Sequence, residues 1–328
     1  MPANLPPAYF EAEKRYREAK TPAEGVAALE EMLAIMPKHK GTDKLKADLR
    51  RRISKLKSKQ HEKKKLGKRD SSYKIEREGV GQVVVLGAPN VGKSALVAAL
   101  TNADPQVADF PHSTWKPTPG MMYFEDIQIQ LIDTPPISRE YIEPLFFDMV
   151  RRSDIILVIV DVQTDPLKQL EETVSVLKEH KIAPRSLAHL HECEPGWTFL
   201  PFMVGANKND DESSEENFEI FKSLLEEELP LIPVSAKTGY NFDMLRQSLF
   251  RTLDIIRVYT KAPGKEPDLT EPFVVKRGAT LEELASKIHK DFLEKLKYAK
   301  VWGTQVYDGQ MVQRDHVLQD GDIVELRL

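Results

Sequence analysis

Gly87-Ala88-Pro89-Asn90-Val91-Gly92-Lys93-Ser94 reads G-x-x-x-x-G-K-S, and its flanks give that spacing a meaning. Ahead of it, Gln82-Val83-Val84-Val85-Leu86 is a short apolar, β-branched run with the profile of a buried strand. Behind it, Ala95 to Leu100 contains good helix formers and neither Gly nor Pro. Strand, glycine loop and helix is the setting in which this spacing binds phosphate. The glycines let successive backbone N–H groups converge on phosphate oxygens, and the helix N-terminus adds a favourable dipole. The pattern predicts that the eight residues and Ala95 cradle a nucleotide, with Lys93 at the β- and γ-phosphates and the Ser94 hydroxyl on Mg²⁺. A glycine-rich turn that binds nothing is the competing reading, and the flanks weigh against it. The loop alone does not choose between ATP and GTP.

Further strands follow in order, each ending in polar residues. Ile127 to Ile132 alternates and ends in Asp133, and Ile155 to Val160 is a continuous apolar run of the kind covered on both faces. Phe199 to Val204 leads into Asn207-Lys208-Asn209-Asp210, and Leu231 to Val234 leads into Ser235-Ala236-Lys237. Residues 104–120, punctuated by Pro105, Pro111, Pro117, Pro119 and Gly120, show no regular element. A switch loop is expected there, with Ser113-Thr114 offering hydroxyls for Mg²⁺. Strands alternating with helices imply a mostly parallel sheet with ligands at the strands' carboxyl ends.

N-K-x-D decides the base. A carboxylate at Asp210 accepts from guanine N1–H and the exocyclic amine, whereas adenine would leave it unpaired. The backbone N–H of Ala236 is expected to meet guanine O6. An ATP-using P-loop enzyme is the alternative that Asp210 disfavours.

These stretches, with Phe110-Pro111-His112-Ser113-Thr114 and Asp133-Thr134-Pro135, resemble the Obg superfamily of translation-factor-class GTPases, and within it the developmentally regulated GTP-binding proteins. The resemblance implies Thr114 as the switch I threonine, with Ser113 close enough to leave that open. It implies Asp133 as the switch II aspartate that holds Mg²⁺ through water. Ile137 falls where Ras-like enzymes carry a catalytic glutamine, and the resembled family is hydrophobic there too. Asn90 matches an asparagine that relatives use to hold K⁺, which does part of an arginine finger's work. Lys93, Thr114, Asp133 and Asn90 are thus the implied catalytic set for water attacking the γ-phosphate of GTP, leaving GDP. With no glutamine, a backbone group would position the water.

Two departures stand out. The family pattern D-x-P-G becomes Asp133-Thr134-Pro135-Pro136, and proline has no N–H to offer the γ-phosphate. Residues 183–198 form a long connection without clear period, in which His189, His191 and Cys193 alternate. A metal site and a surface loop are both readings of it, and four-ligand structural sites usually come as paired clusters.

The 328 residues leave room for two or three domains, and no apolar run approaches membrane-spanning length. The first seven residues lack the features of a secretory signal, and Cys193 is the only cysteine, which suits a reducing cytoplasm. The net charge of −4 hides an asymmetry: residues 38–69 carry 15 Lys/Arg against 3 Asp/Glu, leaving −16 on the rest. Apolar stripes predict three helices in front, through Tyr9, Ala12, Tyr16 and Ala19, through Val26, Leu29, Met32 and Leu33, and through Leu45, Leu49, Ile53 and Leu56. A basic arm, Lys63 to Arg69, follows. Together these form a footprint for RNA or the ribosome, the alternative being a solvated face. A membrane fits poorly, because the stripe has no Trp or Phe.

After Pro263-Gly264-Lys265-Glu266-Pro267, read as a linker, come a strand at Phe273-Val274-Val275 and a helix from Thr280 to about residue 296. Short strands are expected at Val301-Trp302, Val306-Tyr307 and Ile323 to Leu326. Ala299-Lys300-Val301-Trp302-Gly303 and Leu318 to Val324 resemble the TGS domain, a ubiquitin-like β-grasp module. The predicted organisation is a helical basic region (1–75), an α/β P-loop GTPase domain (76–260) and a TGS domain (268–328). A cytoplasmic GTPase acting on ribosomes or RNA is expected, with a protein regulator left open. The competing class is a non-catalytic guanine-nucleotide-binding assembly factor.

Overall fold

The computed structural model describes residues 7–18, 22–35, 49, 73, 75–101, 117–137, 143–190, 195–225, 229–289, 292, 294 and 296–327. Ser113, Thr114, the arm at 63–69, His191 and Cys193 lie outside them. The chain divides into two compact units, Met1–Lys74 and Ile75–Leu328. In the first, helices α1 (Pro7–Glu18) and α2 (Pro22–Ile35) pack face to face. Their predicted stripes meet as Tyr9, Ala12, Leu29 and Met32, with Leu49 joining the cluster. Arg15 and Glu31 bridge the two helices at 2.9 Å, but both are exposed, so the ion pair adds little.

The second unit holds two sheets that matter for function. The larger has the order β2-β3-β1-β4-β7-β8, from β1 (Gln82–Leu86), β2 (Thr118–Phe124), β3 (Ile127–Asp133), β4 (Ile155–Asp161), β7 (Phe202–Asn207) and β8 (Leu231–Pro233). Only β2 runs antiparallel; β3, β1, β4, β7 and β8 are mutually parallel. β1, β4 and β7 are buried at every residue, as continuous apolar runs require when both faces are covered. Helix α3 (Lys93–Leu100) packs with α7 (Phe242–Leu253) into one core through Leu96, Val97, Leu100, Leu245 and Leu249. Helix α5 (Pro166–Glu179) lies against β4, after α4 (Pro144–Arg152) has buried Phe146 and Phe147.

Three expectations need correction here. Residues 118–120, read as irregular, open β2: Thr118 pairs with Asp133 and Pro119 with Ile132. Proline is tolerated because β2 is the sheet's edge strand, where a missing donor costs no ladder bond. The run Phe199 to Val204 is two strands, β6 (Thr198–Leu200) and β7, broken at Pro201, whose carbonyl accepts from Ile156 N–H at 3.0 Å. The long connection before it is partly ordered, since β6 pairs with β5 (Ile182–Pro184) and a 3₁₀ turn covers Arg185–Leu190.

The smaller sheet has the order β10-β9-β13-β11-β12, from β9 (Ile255–Thr260), β10 (Asp268–Lys276), β11 (Tyr298–Trp302), β12 (Gln310–Val312) and β13 (Asp322–Arg327). Helix α8 (Leu281–Ile288) covers it through Leu281, Leu284 and Ala285. Thr280 caps that helix by accepting from Glu283 N–H, as its sequence predicts. The helix stops at Ile288 rather than near 296, with His289 extended. Val306-Tyr307 is not a strand; β12 begins three residues later. The domain boundary also moves. β9, assigned above to the GTPase domain, is a strand of the second sheet, and residues 263–267 are the turn between β9 and β10 rather than a linker.

Candidate functional site

The carboxyl ends of β1, β3, β7 and β8 bring four predicted segments together. The loop after β1 needs its glycines where it has them. Gly87 has φ +147°, and a Cβ there would lie 2.3 Å from the Ile159 carbonyl oxygen. Gly92 has φ +91°, and a Cβ would meet Asn207 Nδ2 at 2.4 Å. Gly92 also caps α3 without a side-chain bond, so the first amides of the helix face the loop. Asn90 is exposed and adopts φ +61°.

Lys93 is 5% exposed and donates to the carbonyls of Gly87 (3.1 Å) and Ala88 (2.8 Å). Burial lowers its pKa to about 8, with the Asp133 carboxylate pulling the other way. A desolvated ammonium resting on loop carbonyls is poised to exchange them for phosphate oxygens. Asp133, also 5% exposed, is pushed up by burial, against a hydrogen bond from the Ser94 side chain. Among the described residues its Oδ1 has no hydrogen-bond partner. An orphaned buried carboxylate oxygen beside a hydroxyl and a lysine suits the oxygen-only ligand set of Mg²⁺. Just beyond, the Thr134 hydroxyl donates to the Val85 carbonyl (2.7 Å) and Ile137 N–H to Gly87 O (3.1 Å). The segment is thereby pinned to β1 and the phosphate loop on both sides of Pro135-Pro136. Ile137, where a glutamine would stand in Ras-like enzymes, is buried.

The residues predicted to read the base form a second cluster, tied to the first by Asn207. Its Nδ2 donates to Val91 O (2.8 Å) and its Oδ1 accepts from Ala236 N–H (3.0 Å). The amide expected at guanine O6 is therefore engaged by Asn207. Ser235 Oγ donates to Asp210 Oδ1 at 2.5 Å and accepts from Thr238 N–H at 3.0 Å, which holds one oxygen of the carboxylate. Lys237 is exposed beside them. His189 joins no metal-binding group among the described residues.

Asp161 and Gln163 were not predicted. Lys208 Nζ pairs with Asp161 at 2.5 Å, and Gln163 Nε2 donates to Lys208 O at 2.9 Å. The available signal was an apolar run ending in an aspartate, the pattern that singled out Asp133 on β3.

Residues 82–189 match the family described as 50S ribosome-binding GTPases, and residues 256–327 match the TGS domain. The chain thus carries a P-loop domain of the GTPase class followed by a C-terminal TGS domain. More particularly, the chain resembles the developmentally regulated GTP-binding proteins along most of its length. It is 28% identical to an uncharacterised GTP-binding protein of Methanocaldococcus jannaschii over 361 aligned residues, 92% of each chain. It is 28% identical to developmentally-regulated GTP-binding protein 1 of Xenopus laevis, over 77% of this chain and 84% of the other. A solved GTP-binding protein from Pyrococcus horikoshii superposes over 75% of this chain and 99% of its own, at 18% identity and a TM-score of 0.44. Among the described residues no helix is long and apolar enough to cross a membrane.

Proposed function

We propose that this protein hydrolyses GTP to GDP and phosphate, slowly when alone, and does so in association with ribosomes or RNA. The observation that carries the nucleotide half is the convergence of Lys93, Ser94 and the incomplete Asp133 at one point, with Asp210 oriented by Ser235 at another. Lys93 would leave the Gly87 and Ala88 carbonyls to stabilise charge on the phosphates. Asp210 would take the two guanine donors. Ser94 and Asp133 would hold Mg²⁺, joined by Thr114, and when bound the ion neutralises phosphate charge. Asn90 is the residue that would hold K⁺. The ribosomal half is supported by the +12 stretch at 38–69 and by the family descriptions above.

Pro136 favours a second reading, a GTP-binding factor that senses the γ-phosphate weakly, because neither Pro135 nor Pro136 has an N–H to donate. A turnover assay with and without ribosomes, in K⁺ and then in Na⁺, separates the two. Turnover that rises with ribosomes and with K⁺ supports the first; binding without turnover in every condition leaves the second. For the base, Asp210→Asn should weaken GTP binding and let xanthosine triphosphate compete, since its O2 replaces the amine donor. Wild-type GTP affinity with continued rejection of xanthosine triphosphate would show that another group reads the base.

A further inference from the structure

Lys208 holds a backbone conformation that side chains other than glycine rarely adopt, with φ +64°. Such a bend persists only where its surroundings over-determine it. Here the end of β4 does so from three directions. Val162 N–H donates to Asn207 O (3.1 Å), Gln163 Nε2 to Lys208 O (2.9 Å), and the Lys208 ammonium sits on Asp161 Oδ2 (2.5 Å). Asp161 is itself immobilised: it is 5% exposed, its Oδ1 accepts from Gln163 N–H (3.0 Å), and its own N–H donates to Gln169 Oε1 (2.9 Å).

We propose that Asp161 is a positioning residue for guanine recognition, acting through Lys208 to present Asp210 to the base. This rests on the reading of Asp210 as the base reader. The bend at Lys208 sets the direction of the two residues that follow. Asn209 is tied down independently, by its N–H to Val234 O (3.1 Å) and by Nδ2 to Glu215 (2.6 Å). Loss of the charge at Asp161 would release the ammonium and let the bend relax. The carboxylate two residues on would then rest on Ser235 with its direction loosened. The phosphate loop is held by Asn207 and would be little affected, so the effect should fall on the base.

The test is the ratio of affinities for GDP and IDP, which lacks the exocyclic amine. Asp161→Asn keeps the shape and removes the charge. It should weaken GDP binding about tenfold, the scale of one charged hydrogen bond, and IDP binding much less, so that the ratio falls. Gln163→Ala, which cuts the other hold on Lys208 and leaves the carboxylate, should move the ratio the same way by a smaller factor. It also serves if the first variant fails to fold. Equal losses for the two nucleotides, or none, would overturn the proposal. If Asp210→Asn switches the base while the Asp161 variant leaves the ratio untouched, only the role of Asp161 falls.

A second observation is independent of the first. The β2–β3 hairpin is a continuous ladder from Thr118↔Asp133, at the end proposed to hold Mg²⁺, to Phe124↔Ile127. Its turn is fastened to the TGS sheet by Arg257 and Tyr259 of β9, which bond Glu125 and Asp126. The geometry points to this hairpin as a lever that passes the nucleotide state to the TGS domain, and reciprocally. Hydrogen exchange at residues 319–323 should differ several-fold between GDP and a non-hydrolysable GTP analogue. Asp126→Asn, or the milder Tyr259→Phe, should reduce that difference. Identical exchange in the two states, or a difference unchanged in both variants, would overturn it.

Discussion

β3 is bracketed by two aspartates with opposite fates. Asp126, in the turn before it, is saturated: its Oδ1 accepts from Arg257 Nη1 at 3.0 Å and its Oδ2 from the Tyr259 hydroxyl. Arg257 is 12% exposed, makes a two-pronged pair with Asp320 (3.2 and 2.9 Å), and lies over the rings of Phe124 and Phe250. Its pKa is raised, chiefly by Asp320. Asp133, at the other end, is buried with one oxygen unanswered among the described residues. One strand thus carries a finished structural joint at one end and an incompletely partnered carboxylate at the other. An orphan oxygen is not sufficient to mark a site, because Asp322 of the TGS domain also has one, with its pKa raised by burial. What separates Asp133 is its company, a lysine resting on carbonyls, a serine hydroxyl and a helix N-terminus.

The largest expected effect is at the joint. Arg257→Ala should cost about 3 kcal/mol, because Asp126 and Asp320 would be left as partly buried carboxylates without their shared cation, holding only the Tyr259 hydroxyl and the backbone N–H of residue 257. Urea unfolding measures it, and a loss below about 1 kcal/mol would mean that solvent answers those charges. Next comes the segment beyond Asp133. Pro136→Gly should increase preference for a GTP analogue over GDP by about ten- to a hundredfold, the worth of one hydrogen bond to a charged group. Calorimetry on both proteins decides, and an unchanged ratio would place γ-phosphate sensing elsewhere.

At Asp133 the two ends should respond with opposite signs. Asp133→Asn should stabilise the nucleotide-free protein, by about 1 kcal/mol, by removing an incompletely paired buried charge. The same variant should need more Mg²⁺ to bind GTP. Asp126→Asn should destabilise instead, and a common sign in thermal melts would collapse the distinction.

The last expected effect is one of pH. Folded Lys93 titrates near 8, below its ordinary value of 10.5. Between those values the unfolded chain carries more protons, so folded stability should rise with pH, at most by about 3 kcal/mol in all. Nucleotide phosphates would hold Lys93 charged, so GDP affinity should fall as pH rises above 8. Neither slope should survive in Lys93→Met. A wild-type slope in that variant would assign the titration to another group.

Much of the site was legible because its spacing is local. Residues 87–94 curl back through their own glycines into the helix that follows, and Asn207-Lys208-Asn209-Asp210 ends a buried apolar run. Those arrangements follow from neighbours in sequence, and so did the class of fold. Three things depended on residues far apart in the chain. Pro119 sits in a strand because that strand is the sheet's edge, which no local propensity records. β9 belongs to the second sheet because its partners, β10 and β13, lie later in the chain. Asp161 and Asp126 look alike as polar ends of apolar runs, yet one meets Lys208, 47 residues on, and the other Arg257, 131 residues on. Local pattern determined which groups are candidates to bind a nucleotide. Long-range packing decided which carboxylates are already paired, because pairing depends on what the fold brings within about 3 Å, and sequence distance carries no such information.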